Sequence, residues 1–320
     1  MKISFADIWK RVESVGNFII TSHVHSDGDA IGSCLALYHL LKSMGKEVQV
    51  VIDDHVPEIY DILPGFGEIQ RYAGQPLEAD MVVLLDARPG REGRVCQAVS
   101  APVLNIDHHA SNDMIADYVY VKPEASATAE ILYGIFREWG VALTEEIASC
   151  LYLGIATDTG FFAFPNTRPE TLEICANLMR VGARPAALAA AVSRKTFHEV
   201  EELARGLGTT ELFAGGRVVG IFLDESFRDL ELTDALIDMV HFIDGIDLAV
   251  LLKAEDDKSC RVRMRSEVLD VSLLAKMLGG GGHREAAGAT IDVGFLEAKQ
   301  VLQDEISKFM EDWRKAVDHP

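Results

Sequence analysis

The spacing of apolar positions changes character along this chain. NFIITS (17–22), MVVLLD (81–86) and PVLNID (102–107) are short, nearly unbroken apolar runs that end on polar groups, and EVQVVID (47–53) is a fourth of the same kind. Runs this short with little alternation predict strands covered on both faces, as in a parallel sheet. Over 29–44 the period becomes helical: Ile31, Leu35, Tyr38 and Leu41 share one face and Gly45 supplies the stop. Residues 126–139, 144–156 and 168–181 carry similar helical patterns. Alternation of strand and helix on this scale predicts an α/β, doubly wound, mostly parallel-sheet domain over residues 1–185.

The pattern then restarts. ARPAALAAAVSRKTFHEVEELARGL (183–207) is rich in alanine and charge and predicts a helical linker, placed at 186–207. TTELFA and RVVGIFL flank a Gly-Gly turn, a hairpin signal. DLAVLLKAE and SCRVRMRS are two further strands around the acidic turn DDK. A short helix leads to GGGGH, and 295–316 is a final amphipathic helix. Residues 208–320 therefore read as a smaller α+β domain. No internal repeat or low-complexity tract is visible.

Composition narrows the class. The chain has 320 residues, 48% apolar and 25% charged, enough for about two domains of ~150 residues. Lys2, Asp7, Lys10, Arg11 and Glu13 near the start contradict a secretory signal, and no apolar run approaches the ~18 residues of a membrane span. The cysteines at 34, 96, 150, 175 and 260 are scattered and form no CxxC, the usage of reduced thiols in a cytoplasmic protein. Net charge is −20. Such a surface repels long polyanions, which excludes long duplex nucleic acid as a partner and leaves short nucleic acids or those held by a local basic patch.

Groups able to do chemistry recur at strand ends. His23, Asp27 and Asp29 follow NFIITS, Asp86 ends MVVLLD, Asp107, His108 and His109 end PVLNID, and Asp158 lies in GIATDTGFF. In open α/β sheets ligands bind beyond the carboxyl ends of the strands, so separate segments deliver these groups to one edge. A lone strand-end aspartate is usually a cap or turn residue. Several in this order, brought to one edge, would repel unless cations sat between them. A binuclear metal centre is the simplest resolution. Imidazoles mixed with carboxylates suit Mn²⁺, with Fe²⁺, Co²⁺ or Zn²⁺ as alternatives and Mg²⁺ favoured only by an all-oxygen set. In the second half, Gly279 to Gly282 bring no side chains, so a phosphate can approach their backbone N–H groups. His283 follows them, and Arg261, Arg263 and Arg265 alternate on one strand and so share a face. A flexible loop and a solvated strand face are the bland readings of these two features.

These motifs resemble the DHH phosphoesterase family. His23-Val24-His25-Ser26-Asp27-Gly28-Asp29 is similar to its H-x-x-x-D-x-D motif, Asp86 to its second, Asp107-His108-His109 to the signature triplet and Asp158 to the fourth. GGGGH (279–283) and RVRMRS (261–266) resemble the associated C-terminal domain. Length and the short linker look most like the nanoRNase/pAp-phosphatase branch. The resemblance implies two metals, one held by His23, Asp27 and Asp86 and the other by Asp29, Asp86, His108 and Asp158. His109 would meet the scissile phosphate and Asp107 would orient an imidazole. Arg265, Ser266, Gly280, Gly281, Gly282 and His283 would bind substrate, with Arg263 less well matched because the family strand has a small polar residue there. It implies water attack on phosphorus in short RNA oligonucleotides and in 3′-phosphoadenosine 5′-phosphate (pAp), with the site between the domains and a homodimer. Linear-dinucleotide phosphodiesterase, RecJ-type exonuclease, family II pyrophosphatase and a non-catalytic nucleotide-binding module stay open as alternatives.

Overall fold

The structure, a computed structural model, describes residues 4–230, 232–282 and 284–318. Two compact units divide at Arg194 and Lys195.

The first unit is built on strands β1 (Asn17–Thr21), β2 (Glu47–Ile52), β3 (Ile69–Arg71), β4 (Met81–Leu85), β5 (Val103–Asp107) and β6 (Tyr118–Val121). All pair in parallel, in the order β3-β2-β1-β4-β5-β6. The order reverses between β1 and β4, the doubly wound arrangement that the alternation predicted. Strand side chains point alternately to two layers. Phe18 and Ile20 pack with helices α1 (Phe5–Ser14), α2 (Gly28–Ser43), α3 (Thr128–Glu138) and α4 (Glu145–Asp158) in the larger core. Ile19, Val51 and Val82 pack instead against Tyr72, Leu77, Val95 and Val99, which lie outside any α-helix. One face of the sheet is therefore helical and the other is sealed by turns, which explains why both strand faces are apolar. Helices α5 (Pro169–Val181) and α6 (Pro185–Ser193) lean on α4.

The second unit holds α7 (Phe197–Leu207), β7 (Thr210–Phe213), β8 (Val218–Leu223), α8 (Thr233–Val240), β9 (Leu248–Ala254), β10 (Cys260–Arg265), α9 (Val271–Met277), β11 (Gly281–Gly282), β12 (Ala286–Ile291) and α10 (Phe295–Asp318). Its sheet runs β11-β12-β10-β9-β8-β7, with β8 and β9 parallel and the other pairs antiparallel. The predicted hairpin is β7–β8. Val250, Leu252, Val262 and Met264 face α9 and α10, whereas Val219, Ile221 and Leu251 face α7 and α8.

The alanine-rich stretch 183–207 is two helices rather than one. Helix α6 belongs to the first unit and α7 to the second, where Thr196 and Glu199 form a capping box that starts α7 afresh. Helix α1, α8 and strands β3, β6 and β12 carry no expectation from sequence. No helix among the described residues is long and apolar enough to cross a membrane.

Candidate metal centre

Six of the predicted residues meet beyond the carboxyl ends of β1, β4 and β5. His23 lies in the turn after β1, Asp27 is the N-cap of α2 and Asp29 is in that helix's first turn. Asp86 follows β4, His108 follows β5 and Asp158 closes α4.

Both histidines are presented for ligation. His23 Nδ1 is 2.8 Å from the carbonyl oxygen of Val24 and His108 Nδ1 is 3.3 Å from that of Ala125. Each ring donates from Nδ1, which leaves the Nε2 lone pair free. His23 Nε2 lies 3.6 Å from Asp86 Oδ2 and 3.9 Å from Asp27 Oδ2. His108 Nε2 lies 3.6 Å from Asp86 Oδ1 and 3.4 Å from Asp158 Oδ2. The two oxygens of Asp86 thus address different imidazoles. Ligand atoms of His23, Asp27 and Asp86 fall within 4.8 Å of one another, and so do those of Asp29, His108 and Asp158. Two groups joined through one carboxylate form the donor set that a pair of divalent cations needs.

The surrounding structure fixes these groups. Asp86 adopts φ 54°, in the left-handed region, which turns its side chain off the strand end, and Thr128 Oγ1 donates to its Oδ1 at 3.0 Å. Asp27 Oδ1 accepts from the N–H groups of Asp29 and Ala30, so Oδ2 remains for a ligand. Helix α3 has no side-chain cap of its own, since its N-cap is Ala127. The buried Asp29 carboxylate takes that role from α2, accepting from Thr128 N at 2.6 Å and Ala129 N at 2.9 Å.

The charge balance fits cations. Burial, then Asp29 and the other acids, raises the Asp86 carboxyl well above its ordinary range. Burial also raises Asp29, and burial followed by the Asp29 charge pushes Asp158 up to about 8. Burial opposes protonation of His108, but the charges of Asp158 and Asp29 outweigh it and raise its pKa. Asp158 Oδ2 is buried with no hydrogen-bond partner among the described residues. A buried acceptor left orphaned beside other strained carboxylates is what a bound cation satisfies.

Asp86, His108 and His109 form a third close group, with His109 Nδ1 3.8 Å from Asp86 Oδ1, but that nitrogen is already engaged elsewhere. It donates to Asp107 Oδ1 at 2.7 Å, and Asn112 Nδ2 donates to the other Asp107 oxygen at 2.7 Å. Asp107, fully buried, is held below its usual range because the bonds from His109 and Asn112 outweigh desolvation. The resemblance gives Asp107 the orientation of an imidazole, left unspecified. The structure gives it His109, while backbone carbonyls orient His23 and His108. Thr128 and Asn112 were not foreseen. Neither residue type signals where its side chain will point. His25 is exposed and pairs with Asp54.

In the second unit a groove of about 620 Å³ is lined by Arg261, Arg263, Arg265, Gly279 to Gly282 and β12. Arg263 donates to Asp234, and Arg265 donates to Asp234 and Asp238. Ser266 does not reach the groove as a free donor: it is buried, donates to Asp247 O at 2.6 Å and accepts from Val268 N and Leu269 N. Part of the glycine run also has a packing cause. A Cβ on Gly280 would stand 2.1 Å from the carbonyl oxygen of Gly288, whereas Gly281 faces open space. His283 lies outside the described residues.

A parallel sheet with carboxylates and imidazoles gathered at its switch point is the layout of a metal-dependent enzyme. Residues 17–155 match the DHH family, N-terminal domain, and residues 217–312 match the DHHA1 domain. The chain belongs to the DHH family. It is 34% identical over 310 residues to the bifunctional oligoribonuclease and PAP phosphatase NrnA of Thermus thermophilus, covering 95% of this chain and 94% of that one. It is 27% identical over 307 residues to the protein of the same name from Bacillus subtilis, covering 93% and 96%. An exopolyphosphatase-related protein from Bacteroides fragilis shares the fold with a TM-score of 0.89 at 24% identity, covering 95% and 96% of the two chains.

Proposed function

We propose that this chain hydrolyses very short oligoribonucleotides to mononucleotides and removes the 3′ phosphate of pAp, using two Mn²⁺ ions. The observation that carries the reading is the double ligand set sharing Asp86, with the orphaned Asp158 oxygen inside it. The names of the Thermus and Bacillus relatives support the substrate class.

His23, Asp27 and Asp86 would hold one cation, and Asp29, Asp86, His108 and Asp158 the other. Bound there, divalent cations activate water and offset charge on phosphoryl oxygens. The chain's own groups do the rest. Val24 O and Ala125 O keep His23 and His108 in the ligating tautomer. Asp107 accepts from Nδ1 of His109 and fixes the ring, whose Nε2, when it carries a proton, would donate to a phosphoryl oxygen. The arginine and glycine groove takes the end of the substrate that does not react. A homodimer in the cytoplasm completes the reading.

Turnover of pAp and of di- to pentaribonucleotides, with Mn²⁺ added or chelated, tests it. Release of phosphate and mononucleotides only with the metal is expected. Mn²⁺-loaded protein that binds pAp without ever converting it would overturn the proposal.

A further inference from the structure

Four cations share one face of the second sheet: Lys253 on β9 and Arg261, Arg263 and Arg265 on β10, with Lys253 directly opposite Arg261 in the antiparallel register. Their surroundings differ. Arg263 and Arg265 are neutralised by Asp234 and Asp238 of α8. Lys253 and Arg261 have no carboxylate partner among the described residues. Lys253 is only 9% exposed, and it lines a cavity of about 180 Å³ together with Arg261, Arg263, Thr233 and Leu230. A buried ammonium without a counter-charge is disfavoured, and its strand neighbours Leu251 and Leu252 show what the position would hold for packing alone. Among the described residues Glu255 is the single carboxylate in the lining, set against Lys253, Arg261 and the Asp234-paired Arg263.

We propose that this cavity is a second anion site, which takes a phosphate or a phosphomonoester group. Arg261 and Arg263 also wall the glycine-lined groove, so the site adjoins the groove but has its own floor at Lys253. The ammonium of Lys253, the guanidinium groups and the Thr233 hydroxyl supply donors from several directions, which suits a tetrahedral anion. The volume is below the ~300 Å³ at which pockets for drug-sized ligands begin. It admits a phosphate group and leaves an attached nucleoside outside. Free inorganic phosphate and the terminal phosphate of a nucleotide are the two sources of that chemistry.

Calorimetric titration of full-length, chelator-treated protein with inorganic phosphate, 5′-AMP and adenosine tests the assignment, because without metal the DHH centre holds no phosphate. Phosphate and 5′-AMP should bind and adenosine should not. Lys253→Gln and the more exposed Arg261→Gln should each weaken phosphate binding at least tenfold at unchanged melting temperature, while Asp86→Asn leaves it unchanged. Equal affinity for phosphate and 5′-AMP assigns the site to free phosphate, and tighter 5′-AMP assigns it to a nucleotide end. No phosphate binding by the wild-type protein, or binding that survives Lys253→Gln, overturns the site, because Arg261 also walls the groove. Because the readout is binding without metal, an absence of pAp turnover would leave it standing.

Discussion

Asp86 concentrates three demands on one residue: a left-handed backbone, burial and a carboxylate facing two imidazoles. Asparagine tolerates φ above zero and can still accept from Thr128, so Asp86→Asn should fold. It removes the charge shared by the two ligand groups, a loss of several kcal/mol in stabilising the transition state. Turnover of pAp should fall ~10³-fold or more, and the melting temperature of the metal-free protein should rise, since one buried repulsive charge is gone. His109→Ala tests a separate role. Activity should fall ~10²-fold with metal content by elemental analysis unchanged, because the nitrogen of His109 that faces Asp86 is committed to Asp107. Loss of bound metal in this variant would place His109 among the ligands.

The same acids set a pH dependence. Asp158, raised from 3.8 to about 8, and Asp29 and Asp86, raised in the same direction, bind protons more tightly folded than unfolded. Their contribution to the stability of the metal-free protein is therefore complete below the unfolded carboxyl pKa and is lost as pH rises towards the folded one. Asp107, lowered by its donors, contributes in the opposite sense and only at the acid end. Melting of chelated protein should occur at progressively lower temperature as pH rises from about 4 to about 8. Added Mn²⁺ should restore the loss most strongly at the upper end. A metal-free melting temperature that rises across this window would contradict the placement of these carboxylates.

At the level of elements, the spacing of the ligands depends on how closely α2 and α4 approach. A Cβ on Gly32 would stand 2.5 Å from the carbonyl oxygen of Cys150, and one on Gly154 would stand 2.8 Å from both Ala129 Cβ and Asp29 Oδ1. Gly154→Ala should therefore cost ~1–3 kcal/mol through overpacking and weaken Mn²⁺ binding by displacing Asp29. Gly134→Ala on α3 is the control: its Cβ would meet only the Phe5 ring, at 3.8 Å, and alanine is worth up to ~1 kcal/mol more than glycine inside a helix. Thermal melts and Mn²⁺ titration of the two variants should move apart. The long apolar strands and the groups at their ends were legible because burial on both faces leaves a continuous apolar run that stops where chemistry begins. YVYV of β6 and AAGATI of β12 were not, being too short or too small in side chain to show a period. The break inside 183–207 was hidden because Ala-rich composition favours helix on both sides of it, and only the Thr196 and Glu199 cap marks the new start. Lys253 escaped notice inside LAVLLKAE, where one lysine in an apolar run resembles an edge residue.

At the scale of the whole molecule, a net charge of −20 sits beside a small set of cations on one face of the second sheet. Each phosphate neutralised on a single strand adds ~0.7 to the slope of log affinity against log salt. A substrate long enough to fill the arginine groove gains its contacts there, and further nucleotides add phosphates to a chain whose net charge is −20. The salt slope of KM should therefore level off between di- and pentaribonucleotides, and kcat/KM should decline steeply beyond a few nucleotides. A RecJ-like exonuclease would behave otherwise, with activity sustained on long single strands and a slope that grows with every added phosphate. Steady-state kinetics on an oligomer ladder at two or three salt concentrations separates the two behaviours. A slope that keeps rising with length would show a cationic track beyond the groove, and would remove the argument for a short substrate.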